Sequence, residues 1–188
     1  MLRFATTNEG KVREARAYLA DVVGGVTAWD YDYPELQADD LDVIAAHGAR
    51  DAFEAGDGSP VFVEDSGLFV DGLWGFPGPY SSYVYGTIGN AGVWRLAEPL
   101  EDRTAAFRSV VGYCDGDVTE TFEGVVRGTV VAPRGDGGFG YDPVFEYDGR
   151  TFAELTTDEK NAVSHRGRAL ATFADWLAGE PAERKGAR

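Results

Sequence analysis

The sequence predicts a mixed α/β fold in which strands and helices alternate early and a long hairpin comes late. Three observations carry that prediction. A short strand-like run at Leu2–Thr6 leads straight into a segment with helical spacing. Two extended runs, 104–114 and 118–131, meet at Asp115-Gly116, and an amphipathic segment at His165–Leu177 closes the chain. With 188 residues, 44% hydrophobic and 13% aromatic, the chain is expected to form one domain over 1–188 with a substantial core and a polar tail at about 179–188.

Leu2–Thr6 reads as a short buried strand. Gly10 to about Val23 reads as a helix, with Val12, Ala15, Leu19 and Val22 at close to helical spacing. Asp39-Asp40 is an N-cap signal for a second helix carrying Leu41, Ile44, Ala45, Ala49, Ala52 and Phe53, which Gly56, Asp57, Gly58 and Pro60 terminate. Val61–Glu64 is predicted as a buried strand, Asp65-Ser66-Gly67 as a turn, and Leu68–Val70 as the return. A loop over Gly72–Gly78 precedes a helix near Asn90–Glu98. An Asp-Gly pair between extended runs is a strong hairpin signal. The stretch Arg134–Pro143 is a loop holding four glycines.

Composition excludes several classes. No apolar run approaches the ~18–20 residues of a membrane-spanning helix, and the N-terminal apolar stretch is too short for a secretory signal. Cys114, the one cysteine, excludes an intrachain disulfide framework and a multi-cysteine metal site. A cytoplasmic protein is expected. The 32 acidic and 17 basic residues give a net charge of −15, which disfavours binding to nucleic acid or an anionic membrane. The acids are rich in Asp, and the only lysines are Lys11, Lys160 and Lys185. Such a surface suits concentrated salt, a halophilic trait, because screening relieves self-repulsion.

Three clusters of residues suggest chemistry. Thr6-Thr7-Asn8-Glu9-Gly10-Lys11 lies between a strand and a helix, where a phosphate would meet backbone N–H groups, the helix dipole and a lysine. It is not a P-loop, and its plainer reading is an N-capped helix start. In Glu64-Asp65-Ser66-Gly67, adjacent strand side chains point to opposite faces, so only one of Glu64 and Asp65 is expected to meet Mg²⁺ or a water, with Asp65, at the turn, favoured over Glu64. A solvated turn is the alternative. Glu35 is a candidate second carboxylate, little separated by sequence from Asp32, Asp39 or Asp40.

The third cluster runs from Gly137 to Arg168. Its G-x-G-x-x-G is no dinucleotide fingerprint, because Tyr141-Asp142-Pro143 follows where a helix should begin. A flexible loop displaying Phe139 or Tyr141 as a flat surface for a base fits better. Lys160, His165, Arg166 and Arg168 crowd polar donors downstream, unless they form a plain helix start and a solvated face. Two of the three lysines fall inside these clusters, where a compact point charge would meet phosphate. Together they describe a nucleotide site.

These residues resemble the inosine triphosphate pyrophosphatase family. The motifs are Thr6 to Lys11, Glu64-Asp65-Ser66-Gly67-Leu68, Gly75 to Ser81, Gly138-Phe139-Gly140-Tyr141-Asp142-Pro143 and Glu159 to Arg166, in family order from about residue 3 to 177. The resemblance implies a mixed, mostly antiparallel long central sheet flanked by helices, with two lobes and an active-site cleft between them. It also implies a homodimer and Mg²⁺-dependent cleavage of ITP, dITP or XTP to the monophosphate and pyrophosphate. By motif position, Thr6, Thr7, Asn8, Glu9, Gly10 and Lys11 would bind the triphosphate, with Ser66 beside the substrate. Asp65 would be the proton acceptor and a metal ligand, with Glu35 the second. Phe139, Gly140, Tyr141, Asp142, Lys160, His165 and Arg166 would form the base pocket. A nucleoside triphosphate hydrolase of other base specificity, and a nucleotide-sensing module without turnover, are the alternatives.

The acidic, lysine-poor surface generates a first prediction. Thermal melting followed by circular dichroism should shift upward as KCl is raised from low to molar concentration; an unchanged midpoint would reject the salt adaptation.

Overall fold

A computed structural model describes residues 1–34 and 36–179. Its seven strands form one sheet in the order β2-β1-β3-β4-β5-β6-β7. β1 (Leu2–Ala5) runs parallel to β2 (Val26–Trp29) and to β3 (Val61–Val70); the remaining pairings are antiparallel, through β4 (Thr104–Cys114), β5 (Thr119–Val130), β6 (Phe145–Tyr147) and β7 (Arg150–Thr151). Helix α1 (Glu9–Leu19) connects β1 to β2, and α2 (Leu41–Ala55) leads into β3. Helix α3 (Ser81–Ala97) precedes the β4–β5 hairpin, and α4 (Thr157–Val163) and α5 (His165–Gly179) end the described chain. The mixed, mostly antiparallel sheet flanked by helices agrees with the sequence-based expectation.

Alternation along β3 sorts the core into two layers. Phe62 packs with Phe4, Leu19 and Phe173 under α1 and α5, while Val61 and Val63 pack with Ala45, Ala49 and Val110 under α2. A third cluster, with Leu68, Phe107, Val126, Phe145 and Phe152, fills the far end of the sheet. Asp40 caps α2 as its position predicts, accepting from the Asp42 N–H. The hairpin closes on Asp115, whose Oδ1 accepts from the N–H groups of Asp117 and Val118.

Two expectations are corrected. Asp65-Ser66-Gly67 is no turn, because β3 runs unbroken through it, with Asp65 opposite Val110 and Gly67 opposite Arg108. Glycine is there for space: a Cβ at Gly67 would lie 2.3 Å from the Gly78 carbonyl oxygen. Helix α3 begins at Ser81, well before Asn90, and Gly89 (φ 62°) kinks it, so the segment anticipated near Asn90–Glu98 is its second half. The short strands β2, β6 and β7 give no clear signal in the sequence.

β1 and β3 pair only at Arg3–Val61 and Phe4–Phe62. Past that point β1 ends and β3 continues, so one edge of β3 opens. The cleft forms there.

Candidate active site

The cleft measures about 1160 Å³ and takes most of its walls from six segments, with Leu41 and Ile44 of α2 and Phe107 of β4 adding to them. The six segments are the β1–α1 junction, residues 31–33 and 36–38 before α2, the middle of β3, the start of α3, the Gly-rich loop, and the α4–α5 junction. Of the residues expected at a site, Thr6, Thr7, Asn8, Lys11, Asp65, Ser66, Phe139, Gly140, Tyr141, Asp142, Lys160, His165 and Arg166 line it. Glu9 and Gly10 do not line it: Glu9 sits in the exposed first turn of α1, and Gly10 has its N–H turned to the cap. Glu35, expected as a metal carboxylate, lies outside the described residues, as does the tail from 180 onward that holds Lys185.

At the first wall, Asn8 Oδ1 accepts from the N–H groups of Gly10 and Lys11 at 2.9 and 3.3 Å, and Thr6 Oγ1 accepts from the Asn8 N–H. The N-capped helix start is therefore real, and it fixes where Lys11 leaves the helix. Lys11 Nζ donates to the Glu64 carbonyl oxygen at 2.8 Å and lies 2.8 Å from Glu64 Oε2. An ammonium has three donors, so these two contacts hold the group at the cleft edge with one proton direction left.

Glu64 is the residue that sequence reasoning left without a role. It is buried on the α1–α5 side of β3, with Arg166 Nε 3.2 Å from Oε2 and Ser109 donating to Oε1. Burial alone would raise this carboxyl, but the Arg166 and Lys11 charges outweigh burial and hold it well below the usual carboxylate range. Arg166 also pairs with Glu14 at 3.0 Å. A glutamate ending an apolar Val61–Val63 run was the available signal, since a buried charge requires partners.

Asp65 points to the opposite, α2 side, as alternation requires, and Tyr33 donates to its carboxylate at 3.1 and 3.2 Å. Both carboxylates nevertheless line the cleft. Alternation along β3 sets the two directions as expected but keeps neither carboxylate out, because at the open edge of β3 the cleft reaches both faces.

The far wall is aromatic and cationic. Phe139 is half exposed, with Lys160 Nζ 4.4 Å and the Arg166 guanidinium carbon 5.5 Å from its ring centre. Tyr141, the other candidate platform, is 5% exposed and donates to the Ser81 carbonyl at 2.9 Å. It packs edge-on to Tyr85, so Phe139 is the displayed surface. Asp142 accepts from the Phe139 N–H at 2.7 Å and pairs with Lys160 at 2.5 Å, fastening the Gly-rich loop to α4.

His165 stacks on Phe107 with ring centres 4.7 Å apart, and its buried Nδ1 has no hydrogen-bond partner among the described residues. Burial, then the neighbouring Arg166 charge, pushes the imidazole down from 6.5 to about 3, so it is neutral at physiological pH.

That shift has a testable sign. The unfolded chain takes up this proton near pH 6.5, whereas the folded chain resists until about 3, so stability falls as pH drops between those values. Glu64, with its lowered carboxyl, acts the same way only below its ordinary value of 4.5. From pH 7.5 to 5, His165 is expected to remove up to about 2 kcal/mol, read from urea midpoints. The His165→Phe variant should lack that part of the fall; an equal fall would locate its source elsewhere.

A profile of the Ham1 family matches residues 2–176. A dITP/XTP pyrophosphatase of Methanopyrus kandleri is 54% identical over 177 residues, covering 92% of this chain and 94% of that one. The dITP/XTP pyrophosphatase of Thermococcus kodakarensis is 51% identical over 94% of this chain and 96% of its own. Among solved structures, a HAM1 protein from Coxiella burnetii superposes with a TM-score of 0.86 at 31% identity, covering 95% of this chain and 98% of its own. Family motifs, sheet and sequence agree, and the chain belongs to the Ham1 family.

Proposed function

We propose that the protein hydrolyses deaminated purine nucleoside triphosphates, namely ITP, dITP and XTP, to the monophosphate and pyrophosphate. One observation carries the reading. A single cleft gathers Lys11, Asp65 and the Phe139–Lys160–His165–Arg166 wall, in a family whose relatives are named dITP/XTP pyrophosphatases.

In this reading the triphosphate lies along Thr6, Thr7 and Lys11, with Asn8 holding the helix start that presents them and Ser66 beside the substrate. Water attacks the α-phosphorus, the bridge to the β-phosphate breaks, and pyrophosphate leaves with that oxygen. Asp65 accepts the proton of the attacking water, and Lys11 meets charge building on the departing oxygens.

A divalent cation fits the donors. No group of three or more His, Cys, Asp or Glu side chains is placed to hold a metal among the described residues. Glu64 and Asp142 are already balanced by Lys and Arg. Asp65 with phosphate oxygens is the kind of set Mg²⁺ takes, one or two carboxylates plus substrate. We assign Mg²⁺ to Asp65, with Glu35 as the second carboxylate; when bound it neutralises phosphate charge.

The base would stack on Phe139. Hypoxanthine and xanthine present an acceptor oxygen at position 6, where adenine presents a donor amine. Arg166 donors and the neutral His165 ring would pair with the first and be left unpaired by the second, a mismatch able to cost ~10⁴-fold in selectivity. We also propose a cytoplasmic homodimer that binds neither nucleic acid nor membrane. Exposed Trp74, Tyr83, Ile88 and Leu96 offer apolar surface to a second copy, and no described helix is long and apolar enough to cross a membrane.

The test is a panel of ITP, XTP, dITP, GTP and ATP with Mg²⁺ in high KCl, assayed for pyrophosphate. ITP, dITP and XTP should be favoured; preference for ATP, or orthophosphate as sole product, defeats the reading. In variants, Asp65→Asn should abolish turnover while nucleotide binding persists, and pure binding in the parent would leave a sensing module. His165→Ala or Arg166→Ala should lower the ITP-to-ATP ratio of kcat/KM at least about tenfold, as loss of one discriminating contact does; an unchanged ratio places selectivity elsewhere.

A further inference from the structure

The 31–33 stretch lines the cleft as a strap hung from α2 by two tyrosines. Tyr31 stacks on Trp29 with ring centres 4.6 Å apart, and its hydroxyl donates to Asp51 of α2 at 2.7 Å. The Tyr33 ring lies directly on Gly48 of the same helix, where a Cβ would come within 2.5 Å of Cε2. Only a residue without a side chain lets the ring sit so deep. From that seat the Tyr33 hydroxyl reaches Asp65, 3.2 Å from Oδ1 and 3.1 Å from Oδ2.

Nearly equal distances place the phenol in the bite between the two oxygens. A carboxylate has about four lone-pair directions, two facing inward and two outward. Tyr33 occupies the inward pair. We infer that Tyr33 is a positioning residue for Asp65, filling the bite of the carboxylate so that it works through its outward lone pairs. The inference rests on the proton-acceptor and metal roles proposed for Asp65.

Two consequences follow from the geometry. The carboxylate is fixed in rotation, so the acceptor oxygen is aimed before substrate arrives; such pre-orientation contributes to rate and little to ground-state affinity. A cation at Asp65 is also restricted to one oxygen. Mg²⁺ keeps strict octahedral geometry with single-oxygen contacts, whereas Ca²⁺ readily takes both oxygens of a carboxylate. Tyr33 therefore disfavours the larger ion.

Tyr33→Phe removes the hydroxyl and keeps the ring on Gly48. With ITP and Mg²⁺, kcat is expected to fall about tenfold or more while KM stays within about twofold. Calorimetric titration of metal into enzyme loaded with non-hydrolysable α,β-methylene ITP should show the Ca²⁺-to-Mg²⁺ affinity ratio rising at least about threefold. Gly48→Ala, which lifts the ring without touching the hydroxyl, should lower kcat in the same way if it folds by circular dichroism. A Tyr33→Phe enzyme with kcat within twofold of the parent, or an unchanged affinity ratio, overturns the inference. Asp65→Asn in the same series separates the two levels: inactive Asp65→Asn beside fully active Tyr33→Phe sinks the inference and leaves the role of Asp65 standing. Active Asp65→Asn removes that role and the inference with it.

Discussion

The structure of the site depends on the Glu64 charge, buried between Lys11 and Arg166. Bringing a carboxylate into the interior is costly by itself, and only close cations with good geometry offset it. Here the offset comes from α1 and α5, while β4 adds the Ser109 hydroxyl. One side chain of β3 thus sets the separation of two helices that carry different walls of the cleft. Removing any one partner leaves the others uncompensated in a dry place, which is why the cluster acts as a unit.

That unit works because β1 is short. Had β1 paired with β3 beyond Phe62, the edge carrying Glu64 and Asp65 would be sealed by ladder hydrogen bonds. Instead the chain leaves the sheet after Ala5 and turns into α1 at Asn8. A strand with one open edge can show both faces to a single cavity. The result is a division of labour between neighbours: Glu64 faces the helices and is spent on architecture, while Asp65 faces the strap and accepts from the Tyr33 hydroxyl.

Much of this frame is legible in the sequence, for local reasons. Asp40 caps α2 because a short acidic side chain before an apolar periodicity can reach a free N–H, and Asp115-Gly116 turns the hairpin for equally local reasons. The continuity of β3 is not local. Asp65-Ser66-Gly67 has turn composition, and what makes it strand is ten residues of pairing with β4 and the close approach of Gly78, eleven residues on. The start of α3 is silent as well, since no side chain caps it. At the site, motif residues could be found one by one, but the cluster joining positions 11, 14, 64, 109 and 166 spans most of the chain. No periodicity encodes contacts of that separation.

The same pairing answers how a chain of net charge −15 can keep a pocket suited to an anion. The distant acids act through water and salt, which screen them within about 10 Å at moderate ionic strength. The near acids do the opposite of repelling. Glu64, Asp142 and Glu14 each hold a Lys or Arg against the cleft, so the cations arrive already desolvated and oriented. A triphosphate meeting them would not need to strip and order three long, mobile side chains, since folding has done so. The cost is that each cation offers only the donors its carboxylate has left over. Recognition in such a site is governed by direction more than by total charge, and a ligand must present its oxygens and base edge where the remaining N–H bonds point.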